Sequence, residues 1–216
     1  LYPEKPIYDI PGVPMQTAQE HVDALVAQIE PFAYDLHLSQ RVEAIEAVDC
    51  IEGITTWKVT SSEGIECITK NIFIAAGAGS FEPRRPPNID DPDKFINSGV
   101  SYAVRSVEKY KDKNVFIFGG GDSALDWTVE LAKVAKSVSL VHRRDEFRGA
   151  QHTEAQMRNL VKDGSVNLLT PYQIESINGD DAVTGVMLKN FDTKESISKE
   201  ADELLFLFGL NKKLGP

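Results

Sequence analysis

Apolar positions change period along this chain, and the change divides it. Val22, Leu25, Val26 and Ile29 recur at helical spacing, which puts them on one face of a helix. Thr17 and Glu20 stand three residues apart ahead of that run, the pattern of a capping box. Pro31 stops the helix. From residue 34 the alternation shortens toward two. Strands are expected over Tyr34 to Leu38, Val42 to Val48, Ile54 to Thr60 and Ile65 to Ala76, with Gly53 and Gly64 in the turns. The run from Ile72 to Gly79 reads as a buried strand closing in small residues. Such an exit marks either a close approach of backbone to a ligand or simply a tight turn.

A Pro-rich segment follows. Pro83 to Pro92 holds four prolines in ten residues, which suits a semi-rigid crossover between domains. From Asn114 onward the pattern is strand, helix, strand, helix, strand, the signature of a parallel α/β sheet. Val166 to Leu169, Ile174 to Ile177 and Val183 to Leu188 are further β-like segments. Glu203 to Gly209 is an apolar strand near the end of the sequence. No internal repeat or low-complexity tract interrupts this order.

The junction at residues 114 to 127 carries chemistry. An apolar strand, Asn114 to Phe118, runs directly into Gly119-Gly120-Gly121-Asp122-Ser123-Ala124, and a helical pattern follows. This is Gly-x-Gly-x-x-Ala in the strand–turn–helix setting that a dinucleotide fingerprint requires. Gly119 permits the tight turn, Gly121 lets backbone approach a pyrophosphate, and Ala124 is small enough for close helix–strand packing. The pyrophosphate would rest on the free N–H groups and positive dipole of the helix start.

A second signal lies at the end of the next strand, Ser137 to Val141. An NAD site carries an acidic residue about 20 positions beyond the first glycine, to accept from the ribose 2′-hydroxyl. Ser139 to His142 fill that window and include no acid. His142, Arg143 and Arg144 follow instead, and Arg148 lies close behind. Arginines there suit a 2′-phosphate, through charge-assisted and often bidentate bonds, so the pattern favours NADP. The alternative is a solvated loop in which Arg143 and Arg144 pair with Asp145 and Glu146. His142 is equally readable as a strand-end cap.

Composition narrows the classes. The 216 residues suffice for one large or two small domains. With 42% hydrophobic and 26% charged residues, the chain reads as globular. A net charge of −10 argues against nucleic-acid binding. No apolar run approaches a membrane span, and no secretory signal is present. The chain opens without Met and in loop-like sequence, so it is expected to be a fragment. Its two cysteines, Cys50 and Cys67, form no CxxC and read as buried or half-buried residues in a reducing cytosol. The four histidines show no ligand spacing, so no metal is expected.

In order, the motifs are Tyr2-Pro3-Glu4-Lys5, Tyr8-Asp9, Ala76 to Gly79, Gly119 to Ala124 and His142-Arg143-Arg144-Asp145. That order resembles the thioredoxin-reductase-like flavoproteins, and within them the type 2 ferredoxin–NADP reductase branch. The resemblance covers essentially the whole chain. It implies an α/β fold: a two-domain FAD/NAD(P)-binding, Rossmann-like flavoprotein with three-layer ββα architecture. The implied domains are a partial FAD-binding domain over 1–84, an NADPH-binding domain over 85–205, and a return to the FAD domain over 206–216. The family's first glycine fingerprint, which holds the FAD pyrophosphate, would precede Leu1.

The resemblance also implies roles. Tyr2 matches the tyrosine stacked on the isoalloxazine, and Asp9, Val42 and Gly77 match positions near FAD. Gly119 to Ala124, His142, Arg143, Arg144 and Arg148 would hold NADP. No residue is assigned as a catalytic acid or base. The implied activity is hydride transfer from NADPH to FAD and electron delivery to ferredoxin or flavodoxin, by a cytoplasmic homodimer without membrane association. Domain rotation would hinge near Pro83 to Pro92 and Leu207 to Gly209. Thioredoxin reductases carry a Cys-x-x-Cys before the second glycine motif, whereas Val100 to Ser106 here holds no cysteine. Without a dithiol there is no thiolate to attack a disulfide. Two alternatives stand beside this reading: a disulfide reductase whose dithiol lies elsewhere, and a non-catalytic NADP-sensing module. Lys111, Lys113, Lys133 and Lys136 are either a docking patch for an acidic partner or scattered solvated lysines.

Overall fold

The computed structural model describes residues 3–4, 6–51, 53–76 and 80–213. By internal contacts the chain divides into two units, Leu1–Val26 with Pro83–Gly209, and Ala27–Glu82 with Leu210–Pro216.

Near the N-terminus β1 (Pro6–Ile7) pairs antiparallel with β2 (Gln16–Thr17). Helix α1 (Ala18–Ile29) starts at the expected box: the Thr17 N–H donates to Glu20 Oε2 at 2.7 Å, and the Glu20 N–H donates to Thr17 Oγ1 at 3.2 Å. The Thr17 N–H and the Thr17 hydroxyl, which donates to the same Glu20 Oε2 at 3.0 Å, stabilise the carboxylate and hold the Glu20 pKa below its usual value. The apolar stripe forms as expected, yet Val22, Leu25, Val26 and Ile29 are all exposed.

The smaller unit is built on an antiparallel meander of β3 (Val42–Ile51), β4 (Ile54–Ser61) and β5 (Glu66–Thr69). Gly53 and Gly64 turn it, each with φ of +80°, a conformation that Cβ disfavours. Two expected strands are absent. Residues 34–38 are irregular, with Leu36 and Leu38 exposed. The expected buried strand at 72–76 is also irregular, and Phe73 is 93% and Ile74 81% exposed. Apolar residues make a strand only where another strand offers an edge. Among the described residues none pairs with either segment. Short strand β6 (Ser80–Pro83) follows.

The larger unit contains the parallel sheet. After a short 3-10 turn at Pro92–Phe95 come β7 (Val100–Ser101), β8 (Asn114–Phe118), α2 (Asp122–Leu131), β9 (Ser137–Val141), α3 (Gln151–Lys162) and β10 (Val166–Leu169). An antiparallel meander follows, β11 (Tyr172–Asn178), β12 (Gly185–Asn190) and β13 (Ser196–Glu200). The chain re-enters the first sheet as β14 (Glu203–Phe206), then ends in β15 (Leu210–Lys213), which pairs with β6. The parallel order is β10-β9-β8-β14-β7.

Alternation along these strands explains the layering. Val115, Ile117, Val138, Leu140 and Leu205 pack with Leu125, Trp127, Leu131 and Met157 of α2 and α3. Phe116, Phe118, Val141, Leu204 and Phe206 face the other way and pack with Ile174, Val186 and Leu188 of the meander. A parallel strand covered on both faces reads as a continuous apolar run, and β8 and β14 do so beyond their first residues, Asn114 and Glu203. Each large side chain so buried contributes about 1.5–3 kcal/mol. The fold is therefore α/β with three layers, helix pair, parallel sheet and antiparallel sheet, as expected. β13 escaped sequence reading because Ile197 is its only apolar residue.

One buried charge fixes the start of β14. Glu203 is 3% exposed, and Lys109 Nζ and Lys113 Nζ each lie 3.0 Å from one of its carboxylate oxygens. A carboxylate taken out of water this far requires such partners.

Candidate functional site

From β8 the chain winds one way through β9 to β10, while β14 and β7 lie on the other side. The reversal falls between β8 and β14. In open α/β sheets the crevice at such a reversal, at the carboxyl ends of the strands, is where ligands bind. Gly119 sits there. Its N–H donates to the Val141 carbonyl at 3.2 Å, and the Leu207 N–H donates to the Phe118 carbonyl at 2.8 Å.

The three glycines have three different reasons to lack a side chain. A Cβ on Gly119 would lie 2.6 Å from the Leu207 carbonyl oxygen and 3.0 Å from Ala124 Cβ. Gly119 and Ala124 are thus forced by packing at the turn. A Cβ on Gly120 would meet the His142 imidazole at 2.4 Å. On Gly121 it would meet nothing within 4 Å, so Gly121 borders open space rather than protein. Gly121 is also the N-cap of α2, and no side chain caps that helix. An open glycine at an uncapped helix start fits an anion held by backbone N–H groups. Ser123 stands half-buried in the first turn. The Asp122 carboxylate is otherwise engaged, accepting the Ala150 N–H at 2.8 Å.

His142 ends β9. Its N–H donates to the Leu169 carbonyl at 3.1 Å and its carbonyl accepts from Tyr172 at 2.9 Å. Its backbone closes the strand end as a cap would, and its ring lies over Gly120. The ring stacks on Phe147, with centroids 5.3 Å apart. Burial, then the nearby Arg143 charge, then Arg144 and Arg148, push the imidazole pKa below its usual value, against a backbone hydrogen bond at Glu146. The ring is thus neutral near pH 7.

Arg143, Arg144 and Arg148 are exposed. Among the described residues none of the three forms an ion pair with a carboxylate, Asp145 and Glu146 included. Three exposed guanidinium groups on one short loop, with no carboxylate partner among the described residues, carry the charge that a phosphate calls for. The loop is sewn to the fingerprint, because the Arg148 N–H donates to the Gly120 carbonyl at 2.7 Å. Gly149 allows this approach, since a Cβ there would lie 2.5 Å from Leu125 Cδ1. The residues of this crevice fit a dinucleotide with a 2′-phosphate.

Sequence reading passed over Phe147, Gly149 and Arg158. Arg158 and Glu154 are four apart on α3, a helical ion-pair spacing that could have drawn attention to them. The contact of Phe147 with a histidine five residues earlier has no sequence signature.

The FAD candidates are only partly described. Tyr2 and Gly77 lie outside the described residues. Asp9 is exposed in the loop before Pro11, and Val42 opens β3, 40% exposed. One cysteine also departs from expectation: Cys67 is exposed, not buried. Cys50 and Cys67 lie on β3 and β5, the two outer strands of the meander, opposite Thr55 and Val59 of β4. Two strand spacings of about 4.8 Å separate them, beyond the Cα reach of a disulfide. Among the lysines, Lys111 pairs with Glu108, Lys113 with Glu203 and Lys133 with Glu130, which compensates most of the suggested patch. No helix among the described residues is long and apolar enough to cross a membrane. They hold no cluster of metal-ligating groups.

Residues 10–213 match the sequence profile of the pyridine nucleotide-disulphide oxidoreductase family. Over 217 aligned residues and its full length, the chain is 46% identical to a ferredoxin–NADP reductase of Nitrobacter winogradskyi, of which it covers 61%. It is also 46% identical to a ferredoxin–NADP reductase of Wolbachia sp. subsp. Brugia malayi, of which it covers 62%. The chain thus spans about three-fifths of the length of these curated relatives. Among solved structures, Lactococcus lactis thioredoxin reductase superposes with a TM-score of 0.76 at 25% identity, over 95% of this chain and 64% of that one. Thioredoxin reductase of T. acidophilum gives 0.79 at 17% identity, over 97% of this chain and 64% of that one, a likeness of fold.

Proposed function

This chain belongs to the pyridine nucleotide-disulphide oxidoreductase family, and from that premise we propose that it is the NADPH-binding part, with a portion of the FAD-binding part, of a ferredoxin–NADP reductase. The observation that carries the proposal is the crevice at Gly121. Open space and an uncapped helix start coincide there, and the loop of three arginines without carboxylate partners joins the turn through the Arg148 N–H bond to the Gly120 carbonyl. Gly119 to Ala124 would take the pyrophosphate. Arg143, Arg144 and Arg148 would take the 2′-phosphate, and the neutral His142 ring would lie against the ribose side.

Bound NADPH would supply a hydride, and bound FAD would supply the redox chemistry that divides its two electrons into single-electron steps. The chain's own part is to bind, orient and select. FAD enters the proposal through the relatives' names and the family resemblance. Tyr2, Asp9, Val42 and Gly77 are its proposed contacts on this chain. Ferredoxin, or flavodoxin in its place, is the proposed acceptor, and a cytoplasmic homodimer the proposed assembly. We place the domain division at 1–84, 85–205 and 206–216. The Arg84 N–H donates to the Gly209 carbonyl at 3.1 Å, so the proposed hinge segments adjoin at one backbone bond.

The separation of Cys50 from Cys67 favours direct electron delivery over disulfide reduction. The test uses the full-length gene product loaded with FAD, with NADPH as donor and ferredoxin and oxidised thioredoxin as rival acceptors. Rapid ferredoxin reduction with thioredoxin untouched is expected. Thioredoxin reduction would move the protein to the disulfide reductases. NADPH binding without flavin bleaching would leave a sensing module.

A further inference from the structure

Arg158 lies a helix turn and more away from the arginine loop in sequence, yet it is built into that loop. Its Nη2 donates to the Asp145 carbonyl at 3.2 Å. Its guanidinium carbon lies 5.6 Å from the Phe147 ring centroid, within range of a cation–π contact. Glu154, one turn earlier on α3, fixes the guanidinium through Nε at 2.8 Å and Nη2 at 2.7 Å. Phe147 stacks in turn on His142, and His142 fills the space above Gly120. The layers therefore run Glu154, Arg158, Phe147, His142, Gly120, from the surface of α3 to the fingerprint turn. Arg143 and Arg144 directly follow His142 in the chain, and Arg148 directly follows Phe147.

We propose that Arg158 is a positioning residue for selectivity toward 2′-phosphorylated nucleotides, holding the loop that carries Arg143, Arg144 and Arg148. The proposal rests on the reading of that loop as the 2′-phosphate site. Three exposed arginines repel one another, and a loop bearing them spreads unless something holds its backbone. Arg158 does so from outside, through a carbonyl and a ring. Its own charge is already matched by Glu154, and it has no need to touch the nucleotide. The turn has an anchor of its own, the Gly119 N–H on the Val141 carbonyl, and the Phe118 carbonyl just before it takes the Leu207 N–H, so pyrophosphate binding does not depend on the stack in the same way.

The test is nucleotide binding to the full-length FAD-loaded protein, with 2′,5′-ADP and 5′-AMP as probes, which differ only in the 2′-phosphate. For Arg158→Gln, 2′,5′-ADP affinity is expected to fall roughly 5–10-fold while 5′-AMP affinity holds within about twofold. Arg158→Lys keeps the charge but loses the flat fork, and is expected to lose most of the same discrimination. Equal losses for both probes would overturn the proposal, because general disruption of the domain does not read the 2′-phosphate. Full rescue by lysine would overturn it too, since charge alone would then suffice. If the unaltered protein binds 2′,5′-ADP no better than 5′-AMP, the site reading itself fails and takes the proposal with it. Selectivity in the unaltered protein that survives in both variants sinks the proposal alone.

Discussion

His142 lies directly over Gly120, so close that a β-carbon on the glycine would sit 2.4 Å from the imidazole Cε1 and Nε2. The ring cannot simply swing aside, because Phe147 stacks on it and the Gly120 carbonyl holds the Arg148 N–H. Gly120→Ala should therefore cost about 1–3 kcal/mol of stability, the usual range for overpacking, and weaken NADPH binding. Adding His142→Ala should recover much of that loss. A double-mutant cycle read by thermal or urea unfolding measures the coupling, and strict additivity would count against the contact.

Gly121 and Gly119 should behave as opposites. Gly121 has φ of −102° and an unfilled space before it, so Gly121→Ala should cost no more than about 1 kcal/mol at an N-cap while sharply reducing NADPH affinity. Gly119→Ala drives a methyl onto the Leu207 carbonyl, a backbone atom that cannot rotate away. It should lower the melting temperature before any nucleotide is added. Melting curves with and without NADPH separate the two cases.

Arg143→Ala and Arg144→Ala should each lower kcat/KM for NADPH by roughly tenfold, the value of one charge-assisted bond, with little change for NADH. The ratio of the two kcat/KM values is the measurement. Loss of the NADPH advantage should also flatten its dependence on salt.

The depressed pKa of His142 gives a pH dependence of definite sign. Above the ordinary histidine value of 6.5 the ring is neutral whether the chain is folded or unfolded, and stability is unaffected. As pH falls below 6.5, the unfolded chain takes up the proton first, so stability is lost until the folded pKa is passed. A His142→Asn variant should show a flatter stability profile over that window. Urea unfolding at successive pH values, compared between the two proteins, checks it.

Replacing both cysteines, Cys50→Ser with Cys67→Ser, should leave NADPH-driven ferredoxin reduction in the full-length protein unchanged. Their places on β3 and β5 forbid a redox pair. A fall in turnover that follows loss of a thiol titre would argue for disulfide chemistry.

Sequence by itself determined the elements whose signals are local. The Thr17–Glu20 box needs only three residues of spacing, and β8 with its Gly119–Ala124 turn announces itself by an apolar run meeting glycines. Strand periodicity also set the layers, because alternate residues of β8 and β14 must face opposite sides. Tertiary structure decided what depends on a partner. Residues 72–76 look like a buried strand, yet no described neighbour offers an edge, and Phe73 faces solvent. Val22 and Leu25 make a stripe, but nothing in the sequence says what covers it. The same holds at the site. The arginines were legible as cations, but their lack of carboxylate partners was not, since Asp145 and Glu146 stand beside them in sequence and only the loop's path keeps them from pairing. Nor could sequence reveal that Arg158 and Phe147 brace that loop, because a contact closed through space leaves no period or spacing along the chain.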